Sequence, residues 1–256
     1  MDPLQAAAEL TKSNRPCAMC TVVHTSGSVP RHAAAKMLVG ADGIIICGTI
    51  GGGSVESRVA EQARQALADG QARLVKYHLA NPAEGDPGVC GGEVDVFIDP
   101  LLSSPTLVIF GAGHVGRALV HLAKWLGFHV VLTDDRAEQC SEAACPGADQ
   151  YMPAAPHDAV SKLHIDARTY IALVMRGSPF DIEVLPLLLH TPAAYIGVIG
   201  SQRRWITTSQ ALREGGVNEA DLARVHAPIG LEIGAETPEE IALSIMAEII
   251  KLRRQS

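Results

Sequence analysis

The sequence predicts an α/β chain: a doubly wound parallel sheet in the C-terminal part, preceded by a smaller N-terminal α+β part. Three observations carry this. The apolar run Leu107-Val108-Ile109-Phe110 breaks at once into Gly111-Ala112-Gly113-His114-Val115-Gly116, a Gly-x-Gly-x-x-Gly set between a strand and a helix. Val115, Ala118, Leu119, Leu122, Ala123 and Leu126 then recur at spacings of three and four until Gly127, and a second apolar strand, Val130 to Thr133, ends in Asp134 and Asp135. Beyond these, strands and helical patterns alternate, as in a parallel sheet covered on both faces.

The glycine loop has a chemical reading. Gly111 permits the tight turn, Gly113 lets backbone approach a pyrophosphate, and Gly116 lets the helix pack on the strand. The helix N-terminus presents free N–H groups and a positive dipole end to an anion, and Asp134 stands where a ribose hydroxyl is read. A nucleotide or NAD(P) therefore suits this Rossmann-like unit. The other reading is a doubly wound domain that uses its glycines for packing alone.

Downstream, strands are expected at Asp149–Met152, Thr169–Met175 and Ala194–Ile199, with helices at His157–His164, Pro179–His190, Ser201–Glu214 and Asp221–Val225. Thr237-Pro238-Glu239-Glu240 is a capping box opening a final helix through Leu252. Ligands in such sheets lie outside the carboxyl ends of the strands. Those ends carry Gly111 to His114, Asp134 to Arg136, Arg176 to Ser178, and Gly200-Ser201-Gln202-Arg203-Arg204. Arginines at the start of a helix oppose its dipole, so Arg203 and Arg204 call for a compensating anion or ligand.

The N-terminal part reads as a short helix over Leu4–Thr11, a strand through Cys17–His24, and a turn Thr25 to Arg31. A hairpin of Lys36–Val39 and Gly43–Cys47 follows. Gly51-Gly52-Gly53-Ser54 then feeds a helix with Ser54 as N-cap, Val55, Val59, Ala63, Ala66 and Leu67 on one face, and Gly70 as its stop. This triple glycine is either a second cradle for an anion or polar ring, or a tight turn into a surface helix. Two more strands are expected, Ala72–His78 and Val94–Asp99, with a linker over Leu101–Pro105. Before the latter strand, Cys90 stands beside Gly91 and Gly92, which leave its sulfur unshielded; this is a candidate ligand-contacting thiol, set against the bland reading of a small buried residue.

Composition narrows the field. Lys and Arg total 21 against 28 Asp and Glu, and aromatics are 4% of residues. With no basic block and few stacking side chains, nucleic acid is not an expected partner. No apolar run nears the length of a membrane span, and Met1-Asp2-Pro3 opens neither a basic nor an apolar leader, so the expectation is a soluble cytoplasmic protein with its six cysteines as thiols. Cys17 and Cys20, three apart on a strand, face opposite sides and do not chelate.

At this point the motifs resemble a known family. Thr25-Ser26-Gly27-Ser28-Val29-Pro30-Arg31, Gly51 to Glu56, Cys90-Gly91-Gly92, Phe110 to Gly116, Tyr195 to Ser201, His226 to Leu231 and Ile233 to Ala242 are similar, in order, to the XdhC/CoxI family. The resemblance implies maturation factors for molybdenum hydroxylases such as xanthine dehydrogenase. It implies an N-terminal XdhC/CoxI-type domain over 1–103 and a Rossmann-like domain over 104–256, forming a homodimer. Such factors bind molybdenum cofactor (molybdopterin or its dinucleotide form), assist a cysteine desulfurase in sulfuration, and deliver the cofactor to the hydroxylase apoenzyme without turnover of their own. On this reading Gly51, Gly52, Gly53, Ser54, Gly91, Gly92, Gly111, Gly113, His114, Gly116, Asp134, Arg136 and Ser201 contact the cofactor. Cys90 serves as a soft thiolate for molybdenum or sulfur, and the glycine loops of the two halves face one guest. The loop after Met175 reads Arg176-Gly177-Ser178 where many members of the family carry histidine at the Ser178 position, which weakens an enzymatic reading. Two other classes compete: an NAD(P)-dependent oxidoreductase resting on Gly111 to Asp134, and a nucleotidyl-transfer enzyme using Asp134 and Asp135 to hold magnesium. The first brings no acid/base pair at a defined spacing, and the second rests on one adjacent pair of carboxylates near the loop.

Overall fold

The computed structural model describes residues 1–79 and 91–255, and the chain divides into two compact units, Met1–Ser103 and Ser104–Ser256. In the first unit, α1 (Pro3–Lys12) is capped by Asp2, whose carboxylate accepts from the amides of Leu4 and Gln5. Five strands follow: β1 (Cys17–Ser26), β2 (Lys36–Gly40), β3 (Ile45–Gly48), β4 (Arg73–His78) and β5 (Glu93–Leu101), with α2 (Gly53–Asp69) between β3 and β4. They form one antiparallel sheet in the order β3-β2-β1-β5-β4.

The period of two in β1 decides its packing. Ala18, Cys20 and Val22 meet Val55, Val59 and Ala63 of α2, while Cys17 and Met19 meet Ala6 and Ala7 of α1 on the other face. Cys17 and Cys20 thus lie in separate cores, as their spacing predicts, and burial pushes both thiols up, that of Cys20 to about 12. The hairpin of β2 and β3 is the expected one. Pairing of β1 with the distant β5 is not local information, and only the fold reveals it.

In the second unit, β6 (Thr106–Phe110), α3 (His114–Trp125), β7 (His129–Asp134), β8 (Gln150–Pro153) and α4 (Pro156–Lys162) come first. Then follow β9 (Thr169–Leu173), α5 (Ser178–Leu189), β10 (Tyr195–Val198), α6 (Gln202–Glu214), α7 (Glu219–Leu222), β11 (Val225–His226) and α8 (Pro238–Arg253). The six strands are parallel, in the order β11-β10-β9-β6-β7-β8. This is the doubly wound order, with the reversal between β6 and β9.

Both faces of β6 are buried, which explains its unbroken apolar run. Leu107 and Ile109 pack with Leu119 and Val120 of α3 and Ile245 and Met246 of α8, while Val108 and Phe110 pack with Val184, Leu185 and Leu188 of α5. The capping box of Thr237 and Glu240 forms at α8. One expectation is corrected: the helix expected over Asp221–Val225 is α7, Glu219–Leu222, and Val225 joins His226 in an edge strand beside Ile196 and Gly197. Two residues give no readable alternation. The carboxyl ends of β6, β7 and β9 meet at the reversal, where the candidate site lies.

The contact between α3 and the end of β6 sets up a test. A Cβ on Gly116 would lie 1.9 Å from the carbonyl oxygen of Gly111. Gly116→Ala is expected to destabilise the second unit by about 3 kcal/mol, read as a lowered urea midpoint, since overpacking at backbone has no flexible side chain to yield.

Candidate functional site

The chain turns from β6 into α3 at Gly111, whose backbone suits glycine alone. Gly111 has φ +117°, and a Cβ there would meet the carbonyl oxygen of Val174 at 2.9 Å. Gly113 is the N-cap of α3 and offers no side-chain cap. A Cβ on Gly113 would meet nothing within 4 Å, so its lack of a side chain leaves open space rather than relieving a clash. The first-turn amides of α3 therefore stand at an open approach, the arrangement that receives an anion.

A cavity of about 410 Å³ opens there. Of the residues the sequence singled out, Gly111, Gly113, His114, Asp134 and Arg136 line it. Gly116 lies buried in α3, with its role in the close packing on Gly111. Ser201 belongs to a different cleft, lined also by Arg204 and Thr208, and its hydroxyl accepts from the amide of Arg204 as the N-cap of α6. Asp135 and Arg176 line the cavity too. The sequence signal for them was only their position at strand ends.

Asp134 is buried and fully engaged. Its Oδ2 accepts from the Ala112 amide at 2.7 Å and from Arg136 Nη2 at 2.8 Å. Its Oδ1 accepts from the Arg136 amide at 3.0 Å and from Arg136 Nε at 2.8 Å. A carboxylate has about four acceptor positions, and all are taken in this arrangement. These bonds hold the glycine loop to the end of β7. Burial pushes the Asp134 carboxyl up, but the hydrogen bonds from Arg136 and Ala112 prevail and bring it down to about 2.

The anion expected beside Arg204 is supplied from within. Arg204 pairs with Asp181 of α5, which is fully buried. Burial pushes the Asp181 carboxyl up against the lowering influence of Arg204. The loop after β11 is likewise held internally: Glu248 of α8 accepts from the Gly230 amide at 2.9 Å and from the Tyr195 hydroxyl.

In the first unit the glycine motifs converge. A Cβ on Gly92 would meet the Ser28 carbonyl oxygen at 2.3 Å, one on Gly27 would meet Gly91 and Gly92, and one on Gly51 would meet Pro30 at 2.7 Å. Gly52 and Gly53, with φ +79° and +65°, face open space. The N-cap of α2 is Gly52, not Ser54, which lies inside the helix. The loop's acceptor is Glu56: its Oε1 takes the Thr49 hydroxyl at 2.6 Å and the amides of Ile50 at 3.0 Å and Gly52 at 2.9 Å. A carboxylate one turn into the helix after the triple glycine is the signal that sequence reasoning passed over. Its negative charge occupies the centre where an external anion was one of the expectations. Cys90 lies outside the described residues.

Comparison with known proteins gives this arrangement its context. Residues 107–249 match the XdhC Rossmann domain, and residues 10–78 match the XdhC and CoxI family. The chain belongs to the XdhC and CoxI family. It is similar to YqeB of Escherichia coli K12, 40% identical across 100% of this chain and 47% of YqeB. It is similar to a protein of Bacillus subtilis 168 named as a probable xanthine dehydrogenase component, 33% identical over 63% of this chain and 47% of that protein. The chain thus spans about half the length of these two relatives. The molybdenum cofactor insertion chaperone PaoD of Escherichia coli K12 is 26% identical over 98% of this chain and 87% of PaoD. Among solved structures, one named as a xanthine dehydrogenase from Bacillus halodurans shares the fold, with a TM-score of 0.54 at 24% identity, covering 100% of this chain and 96% of that one.

Two outcomes test this XdhC-family site. The folded-state pKa of Asp134, about 2, lies below the ordinary carboxylate value of about 3.9. Its stabilisation is therefore present in full above about pH 4 and is lost as pH falls toward 2. Melting curves of Asp134→Asn against the parent should show a deficit at pH 7 that narrows below pH 4. In the first unit, Glu56→Ala strands the Ile50 and Gly52 amides and should cost about 1–3 kcal/mol in denaturant unfolding.

Proposed function

We propose that this chain is a molybdenum cofactor-binding chaperone that receives the cofactor, supports its sulfuration by a cysteine desulfurase, and inserts it into a molybdenum hydroxylase apoenzyme such as xanthine dehydrogenase. It works in the cytoplasm as a homodimer. The cofactor is cargo; once in its hydroxylase it supplies the redox-active molybdenum. The observation that carries the reading is the open N-terminus of α3 beside Gly113, in a chain that aligns with PaoD over 98% of its length.

The residues present fit such a guest. Both cofactor forms carry phosphate, and the first-turn amides of α3 satisfy phosphate oxygens without a counter-charge of their own. Gly113 keeps that approach clear. We assign the Rossmann unit, residues 104–256, to the phosphorylated end of the cargo and the N-terminal unit, residues 1–103, to the maturation step. Gly52 and Gly53, whose surroundings are open and whose loop is anchored by Glu56, suit a hydrogen-bonding ring better than a second phosphate. Cys90 is the thiol we assign to transient contact with molybdenum or sulfur, since thiolate is a soft ligand for such a centre.

Gel filtration of the purified chain after incubation with molybdenum cofactor tests the reading: the cofactor should co-elute with protein, and Gly113→Val should abolish co-elution while leaving the circular dichroism spectrum unchanged. Cys90→Ala should lower activation of an apo-hydroxylase several-fold. Cofactor that elutes free from the parent protein overturns the chaperone assignment, and full activation by Cys90→Ala overturns the role of the thiol.

A further inference from the structure

The five-stranded sheet of the first unit has two edges, and they are built differently. β4 carries Arg73, Lys76 and His78, each beside a carboxylate, of Asp69, Asp95 and Glu93 in turn. Charged side chains on an edge strand keep a further strand from adding. At the other edge, residues 43–48 read Gly-Ile-Ile-Ile-Cys-Gly, without a charge. β3 has β2 on one side and, among the described residues, no strand on the other. Ile44 is 64% exposed, Ile45 36% and Ile46 42%. Of the twelve large apolar side chains exposed among the described residues, three thus stand in a row on the edge whose outer backbone groups lack a ladder partner.

Charge says what covers this edge. The chain holds 28 Asp and Glu against 21 Lys and Arg, so two copies repel one another over most of their surface. The uncharged stretch 43–48 escapes that repulsion, and its two ends differ in sign. Asp42 stands exposed before it, with Oδ1 accepting from the Ile44 amide at 3.0 Å. At the far end the Thr49 amide donates to the Lys36 carbonyl at 2.9 Å, which sets Lys36 beside the exit of β3. Arg64, which a Cβ on Gly43 would touch at 3.5 Å, is already paired with Glu61. Antiparallel pairing of β3 with the same strand of a second copy brings the Asp42 end of each to the Lys36 end of the other. Parallel pairing would set like ends together. A two-fold axis also satisfies both edges at once and leaves no open edge to propagate.

We propose that two copies of this chain meet through β3, paired antiparallel about a two-fold axis, so that two five-stranded sheets become one continuous sheet of ten strands. Ile44, Ile45 and Ile46 pack across the axis, and Asp42 of each copy lies beside Lys36 of the other. This rests on the homodimer of the proposed function and deepens it by naming the surface through which the copies join. The charged edge at β4 stays outermost on both sides of the joined sheet.

Sedimentation velocity and amide hydrogen exchange on the whole chain test the pairing. The parent should sediment with twice the chain mass, and exchange at residues 44–48 should slow as protein concentration rises. Ile44→Lys combined with Ile46→Lys should raise the dimer dissociation constant about tenfold or more, because the two-fold axis sets the new cations against those of the other copy. Leu74→Lys, on the β4 edge, should leave that constant unchanged. Asp42→Lys should weaken the dimer, and adding Lys36→Asp should restore it. A dimer whose 44–48 amides exchange at a rate independent of concentration overturns the pairing and leaves the homodimer standing. So does a dimer that withstands the double lysine substitution with its circular dichroism intact; if that variant loses its fold, exchange in the parent decides. A monomeric parent overturns the pairing and the homodimer together, and the chaperone reading then stands or falls on whether molybdenum cofactor co-elutes with the monomer.

Discussion

The closeness of α3 to the end of β6 is the constraint on which the second unit depends. With a Cβ on Gly116 excluded by the Gly111 carbonyl, the helix can lie directly against the strand end. That approach aims the first-turn amides at the reversal of the sheet, where neighbouring connections diverge and leave space. Gly111 makes the turn at a positive φ that other residues rarely adopt, and Gly113 leaves the approach unobstructed. An open helix end is thus a consequence of packing geometry, before any charged side chain is considered.

Charged side chains in this chain serve the fold first. Glu56 gathers the amides of the first glycine loop, Asp134 takes those of Ala112 and Arg136, Asp181 neutralises Arg204, and Glu248 holds Gly230. Each places a carboxylate where loop backbone or a part-buried arginine needs an acceptor, since such groups are costly to leave without a partner.

The N-terminal unit follows the same economy with a different architecture. Its glycines at 27, 51 and 92 are required where three connections press on one another, whereas Gly52 and Gly53 adopt positive φ with open surroundings. The first group is explained by packing. The second holds positive φ that glycine adopts freely, at a cost in chain entropy and without relieving any contact.

Much of this was legible along the chain. Apolar runs marked β6, β7 and β9, helical spacing marked α2 and α3, and local capping chemistry marked α8, because each depends on residues within a few positions of one another. The glycine fingerprint located the cavity for the same reason. Beyond that reach sequence reasoning faltered: Arg204 read as a cation awaiting a ligand, and Val225 as the end of a helix. Each of these was decided by a partner brought up by folding, namely Asp181 and the edge of β10. Local pattern determined which elements exist and where backbone donors lie open; only the tertiary structure decided which charges are already spent, because hydrogen-bond partners are chosen by distance in space.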